Sequence, residues 1–383
     1  MNNFFEFSVP QKIVIGEDSL KQLPDIFKKM NVKKVLLVSD HGIEKTGLVK
    51  KIEDIFDYVG MACVSYLEVL PNPTIDMVNE ALKAFQDFEA EGIVAVGGGS
   101  PMDVAKAVGV LSRYGGSISD YEGAHKVPGP ITPCVAIPTT AGTGSEVTAF
   151  SVIVDTARHY KLTVFDYNLI PHYAILDPGV LTTAPASVAA ACGIDAMIHA
   201  IEAYLSRSAT PFSDAMAEKA MELIGKNIRR FVACREDREA AYAMAVASNF
   251  AGIAFAWARL GNVHAMSHPV SAYFNVPHGV ANAVLLPFIL EYNQIADHDG
   301  RYEKIYRYIC ENPGTGVFKK EMLAEEVRKL NASLGIPARL ADVGVTEDRI
   351  SVMAEDAMKS GNIQANPRSS SLKDIIELYQ TAL

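Results

Sequence analysis

Thiol chemistry is the first thing this sequence is short of. Its five cysteines, Cys63, Cys134, Cys192, Cys234 and Cys310, are odd in number, widely spread and without a CxxC pair. That excludes a disulfide framework and a thiolate zinc site, and it reads the cysteines as buried or inert thiols. Positive charge is also in deficit. Lys and Arg number 35 against 45 Asp and Glu, a formal net charge of −10, so a nucleic-acid backbone or an anionic membrane would repel the chain. A bilayer-spanning run is missing too: "MAVASNFAGIAFAWA", residues 244–258, is interrupted by Ser248 and Asn249 and is shorter than the roughly 18 to 20 apolar residues a bilayer needs. It reads as a buried helix. The opening "MNNFFEFSVPQ" has no basic n-region and carries Glu6 where a signal peptide is apolar, so a cytoplasmic protein is expected. Neither a repeat of fixed period nor a low-complexity tract occurs. What remains is an ordinary globular composition, 49% hydrophobic and 21% charged over 383 residues, long enough for two domains that each bury a core. A small molecule is the natural partner.

From residue 32 to about 180, short β-branched runs alternate with longer amphipathic ones: "KKVLLVSD", "TGLVKKIEDIF", "ACVSYLEV", "TIDMVNEALKAFQDF", "GIVAVGGG" and "PMDVAKAVGVL". Strand and helix in alternation predict a parallel α/β sheet. After "AILDPGVLTTAP" the chain becomes rich in Ala, Leu and Met with a helical period. The expected division is therefore an α/β, Rossmann-like dinucleotide-binding domain over 1–184 and an all-α domain over 185–383, with the seam in the Pro- and Gly-bearing stretch. The opening "FFEFSVPQKIVIG" reads as one or two strands whose partner the sequence leaves open. Pairing with the same strand of a second copy makes a homodimer, or a higher homo-oligomer, the expected state.

In "GIVAVGGGSPMDVAKAV" an apolar strand runs into Gly97, Gly98 and Gly99, and a helix is expected to begin with Ser100 as N-cap and Pro101 at its first position. Glycines let a ligand approach the backbone, and the free N–H groups of a helix start attract phosphate. The run is not a GxGxxG fingerprint and also suits a plain tight turn. Asp40 ends the strand "KKVLLVSD", where the carboxyl edge of a parallel sheet offers ligands a crevice. A carboxylate there accepts from both ribose hydroxyls of an adenosine and repels a 2′-phosphate, which favours NAD over NADP; a helix N-cap is the alternative role. A third loop, "PTTAGTGSEVT" (138–148), follows the apolar "CVAIP".

Four of the nine histidines lie in two segments of the helical half. "GIDAMIHAIEAY" puts Asp195 and His199 four residues apart, about one turn, so both project from one helix face. "HAMSHPVSAYFNVPHG" repeats that spacing with His264 and His268, and His278 follows beyond Pro277. Asp195, His199, His264 and His278 together offer one carboxylate and three imidazoles to a divalent cation, leaving positions for water or substrate. A single imidazole on an apolar face is more often a satisfied core residue; an Asp in an apolar helix, by contrast, needs a partner to offset its desolvation. His268 reads as a fifth ligand, a proton relay or a support for a ligand.

These stretches resemble the iron-containing, group III metal-dependent alcohol dehydrogenases, a family that includes lactaldehyde reductase and 1,3-propanediol dehydrogenase. "VGGGSPMDVAKA", "PTTAGTGSEVT", "GIDAMIHAIEAY", "HAMSHPVSAYFNVPHGVANAVLLP" and "NPRSSSLKDIIELY" occur in the family's order and run nearly end to end. The resemblance implies the dehydroquinate synthase-like scaffold, an α/β cofactor domain followed by a helical one. It implies metal ligands at Asp195, His199, His264 and His278, and NAD contacts at Asp40, Asn72, Gly97, Gly98, Gly99, Ser100, Asp103, Thr139, Thr140 and Lys161. His268 then stands in a catalytic position near nicotinamide and metal without ligating. Ala149, Ser267 and Val270 depart from the commoner family residues and bear on the substrate pocket.

The expected reaction interconverts a small primary alcohol or diol and its aldehyde by hydride transfer with NAD(H). A free alcohol hardly ionises at neutral pH, whereas a cation-bound one does so far more readily. Three nitrogens and one oxygen suit Fe(II), which family habit favours, and Zn(II), which intrinsic affinity favours. A glycerol-dehydrogenase-like enzyme on the same scaffold uses fewer histidine ligands. A metallohydrolase without nucleotide leaves the glycine loop and Asp40 unexplained.

Overall fold

Two compact units make up the chain, Ser8–Thr140 with Gly144–Thr183, and Ala184–Leu383 with Ala141–Thr143 and the described residues before Ser8. The computed structural model describes residues 5, 7–9, 11–158, 160–297 and 299–383; Phe4, Glu6 and Pro10, which bear on the expected leader and opening strand, lie outside them.

The first unit contains β1 (Lys12–Ile15), β2 (Lys34–Val38), β3 (Ala62–Tyr66), β4 (Gly92–Gly97), β5 (Gly123–Ala124), β6 (Cys134–Pro138), β7 (Phe150–Asp155), β8 (Tyr160–Phe165) and β9 (Tyr173–Leu176). Six of them form a parallel sheet in the order β1-β9-β6-β4-β2-β3. Its inner strands β4, β6 and β9 are buried at every position because both faces are covered, whereas the edge strands β1 and β3 are partly exposed. Leu36, Val38, Ile93, Ala95, Cys134 and Ala136 enter one core, and the alternating Val35, Leu37, Val94, Val96, Val135 and Ile137 enter another. The opening strand takes an edge of this sheet, paired in parallel with β9.

Between β6 and β9 the chain departs from the expected strand and helix alternation. β7 and β8 form an antiparallel hairpin in a separate three-stranded sheet with β5. Alternate residues of β7 are buried, the period of a strand with one covered face rather than of a parallel core strand. The helix Ile75–Asp87 is capped by Thr74, whose side chain accepts from Met77 N. The helix after β4 is a correction: it runs Gly99–Tyr114 with Gly98, not Ser100, at the N-cap. Gly97 has φ +147°, a backbone state open to glycine, and the helix that follows begins two residues sooner than expected. Pro101 still sits in the first turn, where its missing N–H costs nothing.

The second unit has no strand among its described residues. Ala186–Leu205 packs against Pro211–Ala233, Arg238–Ala258 and His278–Asn293. Two helices, Ala186–Leu205 and Arg238–Ala258, are long and apolar enough to cross a membrane, and 78% of the apolar window of each is buried inside the protein. "MAVASNFAGIAFAWA" is thus a core helix. All five cysteines are free, and Cys234, which follows the last turn of Pro211–Ala233, is exposed. Burial pushes the Cys63 and Cys134 thiols up to about 12, which keeps them protonated and inert.

Candidate metal centre and nucleotide site

In the first unit the loops after β2, β4 and β6, three neighbours in the parallel sheet, emerge at the same carboxyl edge. Their roots are tied together: Ser39 Oγ donates to Val96 O at 2.8 Å, and Thr139 N donates to Gly97 O at 3.0 Å. Asp40 follows β2 and caps the short helix His41–Lys45, its Oδ1 accepting from Ile43 N at 2.9 Å. The N-cap role foreseen for it is real and uses one carboxylate oxygen. Gly97, Gly98, Gly99 and Ser100 form the turn and first residues of Gly99–Tyr114, and Thr139 and Thr140 follow β6. Asn72 and Lys161 come from distant stretches and meet, Lys161 Nζ donating to Asn72 Oδ1 at 2.7 Å. Burial lowers the pKa of that lysine.

Asp103 lies on Gly99–Tyr114 and points to the loop after β6, where Ser145 Oγ donates to its Oδ1 at 3.4 Å. Burial raises its carboxyl to about 6 against the pull of Lys106. Lys106, fully buried one turn on, donates to Thr148 O at 3.0 Å, Phe150 O at 2.9 Å and Ser145 Oγ at 3.1 Å, while burial pushes it down to about 8. Lys106 was not singled out from sequence; a lysine in an otherwise apolar helix stretch is the signal. Lys106→Met strands two carbonyls and leaves Asp103 without its cation. A loss of about 2 kcal/mol is expected, a fall of roughly 4–8 °C in thermal midpoint followed by circular dichroism.

In the second unit Asp195 and His199 stand one turn apart on Ala186–Leu205, 3% and 4% exposed. His264 comes from Asn262–Phe274 and is 1% exposed. One ligand atom from each of these three residues lies within 4.8 Å of the others. His278 opens His278–Asn293; Asn275 in the left-handed conformation ends the preceding helix, and Val276 and Pro277 carry the chain to the new one. Its Nε2 lies 3.9 Å from Asp195 Oδ1, with the side chain 37% exposed. The two remaining Nε2 atoms sit 3.6 Å (His264) and 4.0 Å (His199) from the Asp195 carboxylate. All four expected ligands therefore converge. His268 is exposed; its ring stacks on His278 at 5.2 Å and meets His264 edge-on at 6.2 Å.

Four neighbours went unread in the sequence. Glu202, three residues after His199, accepts from His264 Nδ1 at 2.6 Å. Gly142 O accepts from His199 Nδ1 at 3.2 Å, and Phe255 stacks on the same ring at 4.4 Å. Asn282, four residues after His278, donates through Nδ2 to Asp195 Oδ1 at 2.6 Å, and the same nitrogen lies 3.1 Å from Nε2 of both His264 and His278, so its second N–H serves one of these two rings at a time. The lone pairs of three candidate ligands thus aim at a single point, and Asn282 Oδ1, buried there, has no hydrogen-bond partner. A carboxylate and imidazoles converging on one buried spot fit a borderline divalent cation.

Electrostatics agree with that fit. Burial alone would raise the Asp195 carboxyl, but the surrounding imidazoles, His199 first, hold it well below the usual carboxylate range. Burial pushes His199 down to about 3, the neutral form a metal ligand needs. Burial also works against charge on His264, yet the carboxylates of Asp195 and Glu202 override it and lift that imidazole to about 9. The pocket attracts positive charge.

With this geometry in place, comparison with known proteins is specific. A family described as iron-containing alcohol dehydrogenase matches residues 10–178, and the C-terminal part of the Fe-containing alcohol dehydrogenase family matches 189–383. The NAD-dependent methanol dehydrogenase of Bacillus methanolicus is 37% identical over 385 residues, covering 100% of both chains. Lactaldehyde reductase of Escherichia coli (strain K12) is 39% identical over 378 residues and 96% of each chain. The crystal structure of a 1,3-propanediol oxidoreductase superposes with a TM-score of 0.95 over 100% of both chains at 37% identity.

Proposed function

The chain belongs to the iron-containing alcohol dehydrogenase family, and from that premise we propose that Asp195, His199, His264 and His278 hold the divalent cation of an enzyme acting on small alcohols. The protein is an NAD-dependent oxidoreductase that interconverts small alcohols and their aldehydes. The observation that carries the residue assignment is the buried convergence of Asp195, His199 and His264, ligand atoms within 4.8 Å of one another, from two separate helices.

When bound, the cation draws electron density from the alcohol oxygen and lowers its pKa, and the nicotinamide accepts the hydride. In the forward direction the carbinol C–H bond breaks with its electron pair leaving to NAD, and the hydroxyl proton departs. Asp195 supplies the negative charge that keeps the cation in place, and His199 and His264 supply neutral nitrogen donors from rings held by Gly142 O and Glu202. His268, exposed and stacked on His278, is the titratable ring placed to pass the alcohol's proton to solvent through its own nitrogens. The Gly97–Ser100 turn offers helix N–H groups to the pyrophosphate, Asp40 the ribose acceptor, and Asn72, Asp103, Thr139, Thr140 and Lys161 further nucleotide contacts.

The test is direct. Purified protein loaded with Fe(II) or Zn(II) is assayed with short primary alcohols, propanediols and their aldehydes, following NADH by its near-ultraviolet absorbance. Metal-dependent turnover of at least one pair, lost on chelation and restored by metal, is expected; nucleotide reduction that persists after complete metal removal refutes the reading.

Asp40 makes a separate expectation. Asp40→Asn keeps an oxygen to cap Ile43 N but removes the charge that repels a 2′-phosphate. A charged hydrogen bond is worth about 1.5–3 kcal/mol, so KM for NAD should rise about tenfold or more while discrimination against NADP shrinks. Steady-state KM values for both nucleotides check it, and an unchanged ratio removes Asp40 from the nucleotide site.

A further inference from the structure

We propose that Glu202 is the positioning residue of the metal centre, fixing His264 in the tautomer and orientation that leave its Nε2 free for the cation; this rests on the metal reading above. Glu202 is 7% exposed on Ala186–Leu205, three residues beyond His199 and seven beyond Asp195, and so shares their face. Both of its oxygens are engaged. Oε1 accepts from Val263 N at 2.7 Å, and Oε2 accepts from His264 Nδ1 at 2.6 Å. A carboxylate can only accept, so the proton of neutral His264 stays on Nδ1 and the lone pair stays on Nε2, the atom that faces Asp195.

The C-terminal "NPRSSS" stretch, which no part of the reaction uses, belongs to the same device. Asn366 Oδ1 accepts from Asn262 N at 3.2 Å, and Ser370 Oγ accepts from Asn262 Nδ2 at 2.8 Å, which clamps the first residue of the helix that carries His264. Gly261 threads between the two holders: a Cβ there would lie 2.9 Å from both Asn366 Oδ1 and Glu202 Oε1. The ring of His264 and the helix start that carries it are thus held from two stretches far apart in the sequence.

A simpler role for Glu202 would be to satisfy Val263 N at a helix start, and Glu202→Gln separates the two. Glutamine has the same shape. With its oxygen on Val263 N, its amide nitrogen donates to His264 Nδ1 and moves the ring proton onto Nε2; turned over, it sets donor against donor at Val263. Zn(II) affinity is measured by chelator competition on metal-free wild type, E202Q, E202D and H264A, together with the visible spectrum of the Co(II) forms and the metal-free melting midpoint. E202Q should weaken Zn(II) by about 10- to 100-fold and shift the Co(II) bands while its metal-free midpoint stays near wild type. E202D, which keeps a carboxylate set back by one methylene, should fall between. Wild-type affinity and spectrum in either Glu202 variant overturn the proposal, and E202D carries that test should E202Q not fold. H264A keeps the two readings apart: if it binds Zn(II) as tightly as wild type, the metal assignment has failed, whereas weak binding in H264A beside unchanged E202Q sinks the positioning role alone.

Discussion

Alanine at His264 or at His278 is expected to strip the protein of its cation and to cut alcohol turnover by on the order of 10³-fold, with the fold retained. A cation contributes several kcal/mol of charge stabilisation in such a reaction, and about 4 kcal/mol corresponds to that factor. The two variants differ in what they cost the protein. His264 is 1% exposed, and its loss leaves the Glu202 carboxylate with Val263 N as its remaining hydrogen bond, an imbalance worth about 1–3 kcal/mol of stability. The His278 side chain is 37% exposed, so His278→Ala is the gentler change and the cleaner test. Metal content of the purified variants, melting by circular dichroism and NADH formation under saturating nucleotide are read together. Metal retained at wild-type stoichiometry with full turnover in either variant removes that histidine from the centre. Metal lost with turnover intact would detach the cation from the chemistry.

Local spacing made half of this centre legible. Asp195 and His199 share a helix, and a four-residue interval by itself states their common direction. The same interval between His264 and His268 sets two rings 6.2 Å apart, one buried beside Asp195 and the other exposed against His278, and spacing alone does not separate a ligand from its neighbour. Glu202 and Asn282 lay inside stretches already noticed for their histidines. Their roles depend on what crosses from other helices, Val263 N and His264 for one, Asp195 and His264 for the other, and no periodicity encodes such crossings. In the first unit the parallel core strands were plain because burial on both faces writes continuous apolar runs. The β7 and β8 hairpin was hidden by an expectation of strand and helix in turn, although its alternating pattern was present. The start of the helix after β4 differs from the expected one by two residues because a serine before a proline is the commoner start than a glycine in extended conformation.

Gly279 supplies the strongest test of the frame around the ligands. It follows His278 in the first turn of His278–Asn293, and a Cβ placed on it would come within 2.1 Å of Ala191 O and 2.7 Å of Ala191 C. Ala191 stands one turn before Asp195 on Ala186–Leu205, so the two ligand-bearing helices touch backbone to backbone at this glycine. A carbonyl cannot rotate away as a side chain does. Restoring ordinary contact requires the helices to part by about 1 Å, whereas a metal site tolerates errors of roughly 0.2 Å in its ligand distances. Gly279→Ala should therefore cost about 3 kcal/mol or more, a fall of roughly 6–12 °C in thermal midpoint, and should also lose most of its metal although every ligand is present. Gly314→Ala is the control, since nothing lies within 4 Å of a Cβ built there. A Gly279→Ala protein that melts with the Gly314→Ala control and binds metal like the wild type would mean that the packing of these two helices does not hold His278 to Asp195.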